Sequence, residues 1–175
     1  MDASLHPDLP TSGGYRVEEL TVDEVDRVAH LFQELVEFHG EVVKGAWPVR
    51  RPEDAWALRR EQYLEWLGEG SARMLAAVRA EGGGQPLGYA VLSVKPSMPS
   101  WDVGPRVGEL ETLAVAAAAR GQGIGTMLIE ACQERLRAED VTHWAVGVVE
   151  ANEGATKLYE RAGFKPFYRD LLAKL

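Results

Sequence analysis

Apolar side chains recur at helical spacing early in the chain. Val25, Val28, Ala29, Phe32, Leu35 and Val36 make one stripe, which predicts an amphipathic helix. Thr21 and Glu24 form a capping-box pattern ahead of it, with Leu20 and Val25 placed as a hydrophobic staple. Gly40 marks its expected end. A second helix opens at Pro52 with Glu53 and Asp54 in its first turn, carries Trp56, Tyr63, Leu64 and Leu67, and stops at Gly68. Beyond Gly70 the period shortens to two. Residues 72–80 and 87–95 read as strands joined by the glycine-rich turn "EGGGQ", and 15–20 as an earlier, weaker strand. The loop "PSMPSWDVGP" follows, then a strand over 107–115. Ile124, Met127, Leu128 and Ala131 begin a helix that runs to about 137. Residues 142–149 are a run of β-branched and apolar positions, a further strand. Ala155, Leu158, Tyr159 and Ala162 share one face of a short helix stopped by Gly163, and 164–172 reads as a final strand.

The order is strand, two helices, three strands, helix, strand, helix, strand. Successive hairpins imply antiparallel pairing early in the chain. The strand–helix–strand unit over 107–149 implies a right-handed parallel crossover. The expected class is α/β, with a mixed, partly parallel central sheet flanked by helices. Residues 1–13, with Pro7, Pro10 and Gly13, read as a flexible tail. That leaves 14–175 as a single domain.

Composition narrows the function. A hydrophobic content of 46% excludes a disordered chain. A net charge of −8 argues against nucleic acid as a partner. One cysteine, Cys132, excludes an intramolecular disulfide framework and cysteine-rich metal sites. Cys132 falls near the apolar stripe of its helix and reads as core. His30, His39 and His143 share no metal-ligand spacing, so no metal is expected. No apolar run is long enough to span a membrane, and no basic-then-apolar leader opens the chain. These features give the expectation of a cytoplasmic protein that does not bind membranes.

The stretch "LAVAAAARGQGIG" at 113–125 carries the chemistry. It places Arg120, Gly121, Gly123 and Gly125 between a strand and a helix. A helix start offers unpaired amides and the positive end of the helix dipole, and glycine lets an anion approach them. The spacing is not a P-loop, because no lysine precedes Thr126. It is not a dinucleotide fingerprint, because Thr126 stands where a third glycine is needed. The glycines alone admit two readings: an anion cradle, or a tight turn against the sheet.

"ETLAVAAAARGQGIGTMLI" resembles the central motif of the GNAT superfamily of N-acetyltransferases. "VVEANEGATKLYERAGFKPF" and "PLGYAVLSV" resemble its later helix and its third strand. The resemblance covers about 86–168 and is weak over 1–70. Ala117 departs from it, since many members have proline there. It implies acetyl-CoA as co-substrate, an amine on a small molecule or peptide as acceptor, and leaves a homodimer open. It implies that Arg120, Gly121, Gln122, Gly123, Ile124, Gly125 and Thr126 hold the diphosphate. The backbone of Leu113, Ala114 and Val115 would pair with the pantetheine arm as an added strand does, and Asn152 would hold its far side. Asn152 is equally a helix cap.

Acetyl transfer needs a neutral amine. An alkylamine near pKa 10.4 costs about 4.6 kcal/mol to deprotonate at pH 7, and a thiol near ~8.5 leaves far more easily. The resemblance implies Tyr159 as the acid, and packing is its alternative role. Glu109 is the candidate base acting through water, with Glu111 second. Strand parity puts both on the face of Leu113 and Val115. Trp47, Trp56, Tyr63, Trp66 and Trp101, with Glu37, Glu41, Glu53, Asp54 and Asp102, suit a cationic acceptor. Two other functions stay open, a catalytically inactive acyl-CoA-binding sensor or scaffold and a nucleotide-binding enzyme.

Overall fold

A computed structural model describes residues 9–175. The sheet has six strands in sequence order: β1 Thr11–Ser12, β2 Tyr15–Leu20, β3 Ala72–Arg79, β4 Gly83–Pro96, β5 Arg106–Val115 and β6 Trp144–Val146. β1 to β5 pair antiparallel and β6 joins β5 in parallel, as the crossover reading requires. The helices are α1 Ala29–Val43, α2 Pro52–Gly68, α3 Ile124–Ala138 and α4 Glu153–Arg161. Between β2 and α1 the expected first turns wind as a 3₁₀ helix over Val22–Val28. Its start is held as the capping box implies, with Glu24 Oε2 accepting the Thr21 N–H at 3.0 Å.

The sheet has a core on each side. Leu31, Phe32 and Val36 of α1 and Tyr63 of α2 pack on Met74, Ala76, Tyr89 and Val91. Ile124, Leu128 and Cys132 of α3 pack on the opposite face, on Leu75, Ala77, Ala90 and Leu110. β3 and β4 are covered on both faces, which is why they read as nearly continuous apolar runs.

Five expectations change. Of the tail at 1–13, residues 1–8 lie outside those described, while Thr11 and Ser12 pair with Arg16 and Tyr15 as an edge strand. Gly40 does not end α1; the helix runs on to Val43 and stops where Lys44 turns left-handed at φ 48°. A glycine costs a helix interior only about 1 kcal/mol, less than the buried stripe around it supplies. The strand expected over 142–149 shortens to Trp144–Val146. The strand expected over 164–172 does not form. After the positive-φ turn at Gly163, Phe164 stacks on Trp144 with centroids 4.5 Å apart, and Phe167 stacks on Trp101 at 4.6 Å. Ring packing takes the place of a ladder there.

The fifth change bears on the site. Val91 pairs with Thr112 but Leu92 pairs with Leu110, so Glu111 is the extra residue of a β-bulge. Parity is lost at that point. Leu110, Leu113 and Val115 pack with the α3 core. Glu109 lies opposite Ser93, which lies opposite Ala72 of the α1/α2 core. The two glutamates therefore do not share the face of Leu113 and Val115.

Candidate active site

β6 pairs with β5 only as far as Leu110 opposite Val146. Beyond that point the β5 edge is open. The Ala116 N–H donates to Leu87 C=O on the β4 side at 2.9 Å. Alternation back along the strand turns the backbone groups of Leu113 and Val115 to the open edge. The Val115 carbonyl is met there by Arg120 Nε at 3.2 Å.

α3 begins in the opening this creates. Gly123 is its N-cap, with φ 81° and no side-chain cap. The first intrahelical bond runs from the Met127 N–H to Gly123 C=O, which leaves the amides of Ile124, Gly125 and Thr126 ahead of it. A Cβ on Gly123 would meet nothing within 4 Å, so the space over these amides is open.

A cleft of about 540 Å³ joins these parts. Leu113, Ala114 and Val115 form its floor. Arg120, Gly121, Gly123, Ile124, Gly125 and Thr126 form one end, and Asn152 and Tyr159 the side given by α4. Asn152 caps α4 as well, its Oδ1 accepting the Ala155 N–H at 3.1 Å. Gln122 is absent from the lining; its side chain accepts from the Tyr15 hydroxyl and donates to Ala118 C=O at 3.2 Å. Only its backbone is left to serve the cleft.

Tyr159 is 8% exposed and packs edge-on to Phe164. Burial pushes its phenol up to about 12, so it keeps its proton throughout the neutral range. Burial also pushes the Cys132 thiol up to about 12, which removes it as a nucleophile.

Glu109 and Glu111 lie outside the cleft lining. Lys95 Nζ sits 2.7 Å from Glu109 Oε2 and 2.5 Å from Glu111 Oε1. The Ser93 hydroxyl donates to Glu111 Oε1 at 2.6 Å. Desolvation opposes the Lys95 charge, and the hydrogen bonds to both glutamates outweigh it and raise its pKa. The neighbouring Thr112 meets the Tyr63 hydroxyl at 2.7 Å, and Tyr63 meets Tyr89 at 3.2 Å. This buried trio ties the bulge to α2.

α1 walls the cleft with Leu31, Leu35 and Phe38, of which the sequence reading named only Leu35, as part of the buried stripe. The Arg120 guanidinium lies 5.1 Å from the Phe38 ring centre. The sequence reading also missed Glu34, which accepts the Ala117 N–H at 3.1 Å, and Arg161, which lines the cleft. The stripe of α1 announced a buried face, but nothing local to it told which partner it would meet. The aromatic and acidic residues expected as an acceptor wall do not gather at the cleft. Phe32 stacks on Trp56, Trp56 on Tyr63 and Tyr63 on Trp66 between α1 and α2, and Asp54 pairs with Arg51.

The sequence model of the acetyltransferase (GNAT) family matches residues 16–164. The chain belongs to that family. The matched span runs from within β2 to just past α4, and the family's co-substrate is acetyl-CoA. Over 107 residues the chain is 32% identical to phosphinothricin N-acetyltransferase of Streptomyces coelicolor, 61% of this chain and 60% of that protein. The chain thus spans about 60% of that curated relative's length. Its fold is that of solved GNAT structures. The BH1408 protein of Bacillus halodurans, solved as a tetramutant, superposes with a TM-score of 0.75 at 21% identity, over 91% of this chain and 99% of that one. A GCN5-related N-acetyltransferase of Ralstonia eutropha JMP134 superposes with a TM-score of 0.71 at 21% identity, over 92% and 99%. Among the described residues no helix is long and apolar enough to cross a membrane, and no group of His, Cys, Asp and Glu is placed to hold a metal.

The GNAT co-substrate fits the residues present. An uncapped helix start with an open space over Gly123 suits a diphosphate, Arg120 and Arg161 supply positive charge, and the open β5 edge suits an amide-bearing arm.

Proposed function

We propose that the chain moves an acetyl group from acetyl-CoA to a primary amine by direct attack within a ternary complex. The observation that carries this reading is one cleft holding three features together: an uncapped glycine-rich helix start, an open strand edge and the Tyr159 side chain. Acetyl-CoA supplies an acyl group activated as a thioester. The amides of Gly121, Gln122, Gly123, Ile124, Gly125 and Thr126, with Arg120, bind the diphosphate. The backbone of Leu113, Ala114 and Val115 pairs with the arm, and Asn152 closes its far side.

Tyr159 donates a hydrogen bond to the departing sulfur. With its phenol near 12 and a thiol near ~8.5, complete proton transfer runs uphill. Its contribution is therefore a held donor that steadies developing charge, and the released thiolate takes its proton from solvent. Glu109 accepts the amine proton through water, with Glu111 as the second candidate. The acceptor is a primary amine on a small molecule or peptide. Phosphinothricin belongs in its test panel, because the curated relative bears that name.

One observation favours a second reading, an acyl-CoA-binding sensor or scaffold without catalysis: both carboxylates are already engaged by Lys95. Calorimetric titration with acetyl-CoA, NAD and ATP, followed by thiol release with an amine panel, separates the readings. The proposal expects binding of acetyl-CoA alone and thiol release only when amine is present. Binding without thiol release from any amine supports the second reading.

A further inference from the structure

We infer that Lys95 is an internal competitor for the acceptor's ammonium group, held at the Glu109–Glu111 carboxylates, and that it sets the affinity for amines. The inference rests on the proposed role of these carboxylates toward the acceptor.

The lysine head is chemically a primary alkylammonium, with three N–H donors and one positive charge. It occupies the space between the two carboxylates at 2.7 and 2.5 Å. An incoming protonated amine carries the same group and needs the same acceptors. The bulge creates this arrangement. Glu111 is the inserted residue of β5, and its extra step brings it within reach of Ser93 and Lys95 on β4. Its side chain is only 11% exposed, against 40% for Glu109, so Glu111 is the shielded member of the pair. Ala114, on the same α1/α2 side of the sheet as Glu109, lines the cleft.

The lysine is placed to be displaced. Its side chain is 46% exposed and enters from the Pro96 end of β4, so its head has solvent to move into. Glu111 keeps the Ser93 hydroxyl as a donor when the lysine leaves. Ion pairs with one well-exposed partner hold weakly, which suits a group that must yield to a ligand.

The test uses the full chain, with n-butylamine as acceptor and saturating acetyl-CoA. Lys95→Met keeps the stem and removes the ammonium. KM for n-butylamine is expected to fall about fivefold with kcat not reduced, and Lys95→Arg is expected to restore the parent KM. Calorimetric titration of the same variants with n-butylammonium chloride reads binding without turnover and is expected to show the same order. An unchanged or higher KM in Lys95→Met, or a lower kcat, overturns the inference and makes Lys95 a brace for the glutamates. The Glu109→Gln/Glu111→Gln double variant separates this from failure of the underlying reading. If it binds and acetylates n-butylamine as the parent does, the carboxylate assignment falls and the inference with it. If it is impaired while Lys95→Met is no tighter, the inference alone falls.

Discussion

The Tyr15 hydroxyl donates to the side-chain carbonyl of Gln122, joining β2 to the glycine loop across 107 residues of sequence. Gln122 in turn donates to Ala118 C=O. The side chain inside the glycine motif thus fastens the loop from behind while its amides are left to the cleft. Tyr15→Phe keeps the ring and removes one hydrogen bond, worth about 0.5–1.5 kcal/mol. Affinity for acetyl-CoA is expected to fall about threefold to tenfold by calorimetry, with the melting curve still cooperative.

Gly123 tests the cradle itself. Its φ of 81° is left-handed, and the space beside its Cα is open. Asparagine tolerates this backbone better than other residues, whereas valine pays for both strain and branching. Gly123→Asn is expected to melt near the parent and Gly123→Val below it. Both should bind acetyl-CoA much more weakly, because each side chain stands where a phosphate must approach. Unchanged affinity in the folded asparagine variant contradicts the cradle.

The local geometry of this candidate site was legible beforehand, because it is contiguous in sequence. Strand, glycine loop and helix start follow one another over 113–126, so their meeting needs no long-range information. Gln122, Glu109 and Glu111 show where legibility stops. Gln122 turns to Tyr15, which only the folded sheet brings near. The glutamates obey alternation until one inserted residue breaks it, and a bulge is set by pairing with the neighbouring strand. Periodicity also promised a strand over 164–172, yet aromatic contacts to Trp101 and Trp144 settle that segment.

The buried charge of α3 sets a stability test. Arg135, with its side chain 7% exposed, holds Glu19 of β2 at 2.8 Å, and Glu19 also meets Arg73 at 3.2 Å. Glu19→Ala strands a buried guanidinium. The expected cost is about 2 kcal/mol, below the ~3–5 of a fully buried pair because the Glu19 side chain is 26% exposed. Glu19→Leu combined with Arg135→Met is expected to recover most of it. Urea unfolding of the three variants checks the order.

Cys132 and Tyr159 predict an alkaline limb. Burial raises both to about 12, from ordinary values of 9 and 10. The unfolded chain therefore loses these protons first, and stability is full below pH 9 and falls as pH rises from about 9 to 12. Cys132→Ala is expected to be less stable at pH 7 through lost packing, but to show a flatter decline between pH 9 and 11. Urea midpoints measured across that range test this. A parent whose midpoint does not fall above pH 9 contradicts the burial argument.

Thiol release from acetyl-CoA in the parent and in Tyr159→Phe, measured beside the affinity of each for acetyl-CoA, tests the central claim most directly. The parent is predicted to release one thiol per acetylated amine. The variant keeps the ring packing against Phe164. Its kcat is predicted to fall about 10²-fold, with its Kd for acetyl-CoA unchanged. A variant with full turnover, or a parent that binds acetyl-CoA and releases thiol to none of the amines, contradicts the account.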